Sequence, residues 1–303
     1  MVTAARFSGA AAGLLLDRAV GEPPLEPHPV ALFGRAMQDL EKRWWRDDRA
    51  SGVRYAAAGV GAGTAAGLLV RSTALATFVS AAGRMLGDVA LDVAHHLDVG
   101  DLDAARQTLP SLVGRDPTDL GEREMARAVV ESVAENTVDA IVAPAWWGAV
   151  AGAPGVLAHR AANTLDAMVG HHSDRHEHFG WASARLDDVL NYVPARVTAG
   201  LVVLVRPSAT RDVLRIVRRD AAAHPSPNAG VAESAFAAAL GVTLGGTNAY
   251  GERVEHRPTM GDGRAPAAGD IREAVTLSRD VTCALAMTLV SGAALLRLRR
   301  RRS

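Results

Sequence analysis

Apolar residues gather in a few long uncharged runs rather than in strict alternation, and polar residues collect at the ends of those runs. The runs extend from Phe7 to Leu16, from Tyr55 to Val70 and on past Arg71 to Gly83, from Ala140 to Ala158, and from Val281 to Leu296. Alanine and leucine abound, β-branched alternation is scarce, and Pro and Gly mark the interruptions, so the pattern predicts helices and no obvious strand. A membrane-crossing helix needs about 20 apolar residues. By that measure 55–83 and 140–158 read as membrane segments, while the shorter runs fit buried core helices equally well. The stretch Val197 to Val205 is too short to cross, which leaves it re-entrant, buried or lengthened by its neighbours. Breaks fall at 21–29 (GEPPLEPHP), near 46–52, at 114–117 (GRDP), at 224–230 (HPSPNAG) and at 245–263. They mark no clean linker and no internal repeat. The expectation is an all-α, multi-pass membrane helical protein with long polar functional loops, in one domain spanning 1–303.

Arginine sets the expected orientation, because cytoplasmic loops collect Lys and Arg beside membrane spans. The tail Arg297–Arg302 is expected to be cytoplasmic, with Arg35–Arg54 and the amphipathic stretch Arg206–Arg219 on that side or at its surface. In that stretch Val213, Leu214 and Val217 are expected to face apolar material. The first run continues from Arg6 into Asp17 and Gly21 without a convincing cleavage pattern, so it is expected to stay in the mature protein, in the cell membrane.

Composition narrows the class. Hydrophobic residues make up 49% of the chain and mean hydropathy is +0.07, above a typical soluble enzyme and below a transporter packed with continuous spans. Cys283 is the single cysteine, which rules out an intrachain disulfide and a cysteine zinc site and fits a reducing compartment. A formal net charge of +0 argues against a general nucleic-acid binder, although Lys42 is the only lysine and the remaining basic residues are arginine.

Chemistry concentrates between Glu131 and Arg196. Glu131, Glu135 and Asp139 fall at i, i+4 and i+8 and would line one stripe of a helix. Like charges stacked this way repel unless a cation or arginines neutralise them, and oxygen-only ligands suit Mg²⁺; a solvated face is the alternative. Arg160, Asn163 and Asp166 follow at three-residue spacing, as do Arg185, Asp188 and Asn191, with Asp187 alongside and Arg196 past Pro194. Arginine forks suit phosphate and carboxylate, and intrahelical salt bridges are the bland alternative. His172 and His176 have the spacing of a zinc pair, but no zincin glutamate accompanies them, so a polar histidine-rich loop is the reading taken. Ser226, Asn228 and Asn248 lie in glycine-containing loops whose amides suit a phosphate. No Walker or Rossmann glycine motif occurs in a strand-to-helix setting.

Taken in order, the segments LLLDRAVGEPPLEPHPVALFGR, LVGRDP, ESVAENTVDAIVAPAWW, NTLDAMVG, FGWASARLDDVLNYVPARVTA, HPSPNAG and GGTNAYG resemble the CobD/CbiB family of cobalamin biosynthesis along nearly the whole chain. The chain departs at Glu22, where the family is expected to show Asp before proline, and in the histidine-rich 171–178. The resemblance implies a multi-pass membrane adenosylcobinamide-phosphate synthase. Such an enzyme joins adenosylcobyric acid to (R)-1-aminopropan-2-ol O-phosphate, or to a free or ethanolamine analogue, in an ATP-dependent amide ligation. It implies a corrinoid substrate, an amino-alcohol phosphate, ATP with Mg²⁺ and the lipid bilayer as partners, and no nucleic acid; a homo-oligomer stays open. Under this reading Glu131, Glu135 and Asp139 are expected to handle Mg²⁺ or the amine. Arg185 and Arg196 are expected at phosphate groups, and Asp187 and Asp188 compete as base. Asn136, Arg160, Asn163, Asp166, Asn191, Ser226, Asn228 and Asn248 complete the expected binding set. A membrane corrinoid carrier without covalent chemistry is the alternative.

Overall fold

The computed structural model describes residues 3–23, 25–114, 116–171, 173–250 and 253–302, and the side chains of these except 247–250, 253–256 and 302. In chain order the helices are α1 (Ala4–Val20), α2 (Pro29–Trp44), α3 (Arg49–Val70), α4 (Thr73–Ser80), α5 (Gly83–Asp98), α6 (Leu102–Thr108) and α7 (Glu122–Thr137). They continue as α8 (Ala143–Ala151), α9 (Ala153–Leu165), α10 (Trp181–Val205), α11 (Thr210–Asp220), α12 (Ala229–Leu240) and α13 (Ala268–Arg302). One antiparallel hairpin, β1 (Leu244–Tyr250) with β2 (Arg253–Met260), occupies a segment that the sequence pattern presents as a loop. The chain is 79% helical, so the all-α expectation holds.

Among the described residues four helical stretches are long and apolar enough to cross a membrane: Arg49–Val70, Thr73–Asp98, Trp181–Val205 and Ala268–Arg301. The short apolar run 197–205 is thus lengthened upstream by Trp181–Arg196. The run 140–158, expected to cross, does not form one helix. Gly152 adopts φ +72°, a conformation L side chains avoid, and divides the run between α8 and α9.

The chain forms two compact units, each discontinuous in sequence. The first comprises Met1–Ala82, Asp139–Pro194 and Leu285–Ser303. Side-chain caps start its helices: Thr3 accepts from Arg6 N, Asp48 from Ser51 N and Ser72 from Leu75 N. Its tightest seam joins α3 to α9 through Gly59, Gly63 and Gly67, one helical stripe with no side chains. A Cβ on Gly63 would sit 2.5 Å from Leu157 O, so only glycine permits this approach. Met37, Tyr55, Leu165, Val169 and Phe179 form an apolar core beside it.

The second unit comprises Gly83–Val138 and Ala195–Ala284. Its centre is α12, buried from Ala229 to Ala237, with α7 and α11 packed against it. The hairpin is irregular between Leu244 and Gly246, where Gly245 and Gly246 take φ +82° and +96°.

Candidate functional site

Two prolines shape the first unit's polar centre by leaving backbone carbonyls without their helical donors. Pro144 has no N–H for Ala140 O, and the carbonyl accepts from Ala82 N at 3.2 Å instead. The helix widens there into a π-helical turn, Val138–Val142. Pro194, inside α10, likewise frees Leu190 O, which accepts from the Trp147 indole at 3.1 Å. A second π-helical turn, Asp166–Gly170, follows α9. Such turns redirect side chains and recur at functional sites.

Between these turns a hydrogen-bond chain converges on two carboxylates. Asn163 Nδ2 donates to Asp139 Oδ2 at 3.0 Å and to Asp187 Oδ1 at 3.3 Å, while its Oδ1 accepts from Arg160 at 3.3 Å. Asn191 Nδ2 donates to Asp187 Oδ2 at 2.9 Å, and its Oδ1 lies 2.8 Å from His159 Nε2. A carbonyl oxygen only accepts, so His159 carries its proton on Nε2. Each amide is thereby locked in one orientation, with N–H groups pointing at the acids. Asp187, Asn191 and His159 are all buried. Asp187 accepts on both oxygens, the pattern of an ionised carboxylate. The two carboxylates thus meet in an apolar setting, where Arg160 adds an electrostatic attraction to Asp139.

The sequence-derived candidates divide accordingly. Asp139, Arg160, Asn163, Asp187 and Asn191 come together. Asp166 opens the second π-helical turn with its carboxylate against Gly170, where a Cβ would collide with it. Asp188 is half-buried and pairs with exposed Arg185 at 3.3 Å, on a different side of α10 from Asp187. Glu131 and Glu135 lie on α7 and Asp139 in the π-helical turn that follows it, and no group of three or more His, Cys, Asp or Glu able to hold a metal ion occurs among the described residues.

Glu131 belongs to the second unit, where it is buried and accepts from Gly245 N at 2.8 Å, with Arg127 Nε 3.7 Å away. It thereby anchors the hairpin. Glu135 is exposed, and Asn136 turns back to donate to Ser132 O at 2.9 Å on its own helix. Arg196 donates to Asn228 Oδ1 at 3.0 Å beside the first turn of α12. Ser226 Oγ accepts from Ala229 N at 3.2 Å and so caps that helix. The side chain of Asn248 lies outside the described residues, as does His172.

Sequence reading missed His159 and Glu233. Glu233 is fully buried and faces His224 Nε2 at 3.6 Å. Its signal was legible: it is the one charged residue in AGVAESAFAAAL, and an acid in such a run needs a partner. His159 gave no such signal, because its neighbour Arg160 drew the reading. His176 lies 3.2 Å from Glu41 Oε1, which also accepts from Arg175, while His172 lies outside the described residues.

The family model described as CobD/Cbib protein matches residues 10–278. Cobalamin biosynthesis protein CobD of Mycobacterium tuberculosis (strain ATCC 25618 / H37Rv) is 48% identical over 301 residues, covering 94% of this chain and 95% of that one. The proteins of the same name from Rhodobacter capsulatus and Pelobacter propionicus are 41% identical over 280 residues and 40% identical over 309. The first alignment covers 88% of both chains and the second 95% of both. No solved structure matches the chain. On the extent of these matches, the chain belongs to the CobD/CbiB family.

Proposed function

We propose that the chain is an ATP-dependent amide ligase of cobalamin biosynthesis, joining adenosylcobyric acid to (R)-1-aminopropan-2-ol O-phosphate to give adenosylcobinamide phosphate. The relatives' names support the pathway. The observation that carries the chemistry is the convergence of Asn163, Asn191 and His159 on Asp139 and Asp187, a polar centre built where the surrounding helices are apolar.

A carboxylate is a poor acyl donor at neutral pH. In the proposed route a substrate carboxylate oxygen attacks the γ-phosphorus of ATP, giving an acyl phosphate and ADP. The amine nitrogen then attacks the acyl carbon, the C–N bond forms and phosphate leaves with the second amine proton. Mg²⁺ is commonly held by one or two carboxylates together with substrate phosphates, which is the donor set that Asp139 and Asp187 offer. Bound there, it would neutralise phosphate charge. Asp188, half-buried beside Arg185, is assigned the ammonium proton. Arg196, with Asn228 and the amide-rich start of α12, is assigned a phosphate group.

The test is trapping. Membranes containing the protein, given adenosylcobyric acid, Mg-ATP and hydroxylamine but no amino alcohol, should yield the corrinoid hydroxamate only when ATP is present. A corrinoid of unchanged mass that moves across sealed vesicles would instead establish the carrier reading.

A further inference from the structure

Helix α11 turns a charged face with one exposed apolar residue outward. Val213 and Ile216 are buried, whereas Leu214, expected to face apolar material, is 46% exposed. Around it lie Arg211, Arg215 and Arg218, so positions i, i+3, i+4 and i+7 form one outward stripe of cation, leucine, cation and cation. A shallow concavity runs along this stripe and includes Arg219.

The arginines are not equivalent. Arg215 is held by Asp212 and Asp262, and Arg219 by Asp220 and Asp262. The two pairs to Asp262 fix the helix against the segment following β2. Arg211 and Arg218 are exposed and make no hydrogen bond or ion pair with any described residue. Two uncompensated guanidinium groups flanking an exposed leucine present an anion-binding surface with an apolar centre.

Its place in the chain names the occupant. α10 has 25 residues and is apolar enough to span. At about 1.5 Å per residue it reaches roughly 37 Å, longer than the hydrocarbon core of about 30 Å. Its last residue, Val205, is therefore carried to the headgroup layer, and α11 begins five residues later. Leu204, one residue earlier, is 62% exposed, as a lipid-facing residue would be. We propose that the outward stripe of α11 docks on the anionic headgroups of the bilayer that α10 crosses, with Arg211 and Arg218 on lipid phosphates and Leu214 at the acyl boundary.

The test uses full-length protein carrying Cys283→Ser and Leu214→Cys in nanodiscs of phosphatidylcholine alone or with phosphatidylglycerol, labelled by a membrane-impermeant maleimide. Labelling should slow in the anionic discs by about fivefold for each arginine engaged. Adding Arg211→Gln and Arg218→Gln should abolish the difference. So should high salt on the protein with both arginines intact, a control that does not depend on a variant's folding. Equal labelling in both lipids, or protection that survives high salt, would overturn the proposal. Neither result bears on the ligase reading, since the stripe contains none of the residues assigned to chemistry.

Discussion

Replacing Asn191 with leucine tests whether the convergent chain is a single unit. The substitution preserves approximate volume but removes both bonds of the amide: acceptance from His159 Nε2 and donation to Asp187 Oδ2. An orphaned buried N–H costs about 1–3 kcal/mol, and the bond to a charged carboxylate contributes about 1.5–3 kcal/mol, so the sum is about 2.5–6 kcal/mol. The lower part of that range applies within a bilayer, where the unfolded reference finds substitute partners. His159→Phe alone orphans Asn191 Oδ1, at about 1–3 kcal/mol. In the double variant neither orphan exists and only the Asp187 bond is lost. Its destabilisation should therefore fall short of the sum of the single variants by both orphan penalties together, about 2–6 kcal/mol. Equilibrium unfolding in mixed detergent micelles measures all four corners of the cycle. Strict additivity would refute the chain as described.

Three further outcomes follow from separate features. Asn163→Ala removes the amide shared by Asp139 and Asp187 and should lower amide formation by about 10–100-fold, with the Mg²⁺ requirement shifted to higher concentration; Asp187→Asn should lower it further, and unchanged Mg²⁺ titrations in both would exclude this centre from cation binding. Trp147→Phe leaves Leu190 O, already without its helical donor because of Pro194, unsatisfied, and should destabilise the chain by about 1–3 kcal/mol in a chemical unfolding series. Hydrogen bonds from Arg219 and Arg215 hold the Asp262 carboxyl well below its ordinary 3.8, at about 2. A folded-state pKa depressed in this way contributes stability that is present above the ordinary value and lost as pH falls through the folded one. Because Asp262 is exposed the effect is small, and Asp262→Asn should lower the unfolding midpoint slightly at neutral pH and flatten its acid limb between pH 3.8 and about 2, where the two proteins converge.

Helical class, the membrane-length segments around 55–83 and the region holding the polar centre were readable from hydrophobic run length and from polar residues at run ends. What was not readable depended on backbone groups displaced by single residues. Pro144 accompanies a π-helical turn, and the spacing that grouped Asp139 with Glu131 and Glu135 carries no sign of its bond from Asn163. Gly152 divides an apolar run that length alone reads as a span. The hairpin escaped because Gly245 and Gly246 in left-handed conformations look like loop punctuation. The buried bond from Gly245 N to Glu131 that anchors the strand joins residues far apart in sequence. Ser226 and Asn136 were recognised as polar groups in suggestive places, yet each satisfies nearby backbone, a competition that residue type cannot decide in advance.

The central claim is covalent chemistry, and corrinoid mass tests it most directly. Membranes carrying the protein would be incubated with adenosylcobyric acid, (R)-1-aminopropan-2-ol O-phosphate and Mg-ATP, beside a control without ATP. The ligase account predicts a corrinoid heavier by the amino-alcohol phosphate less one water, formed only with ATP and accompanied by ADP. Unchanged corrinoid mass with this amine and with its free and ethanolamine analogues, from protein shown to be folded and inserted, would contradict it.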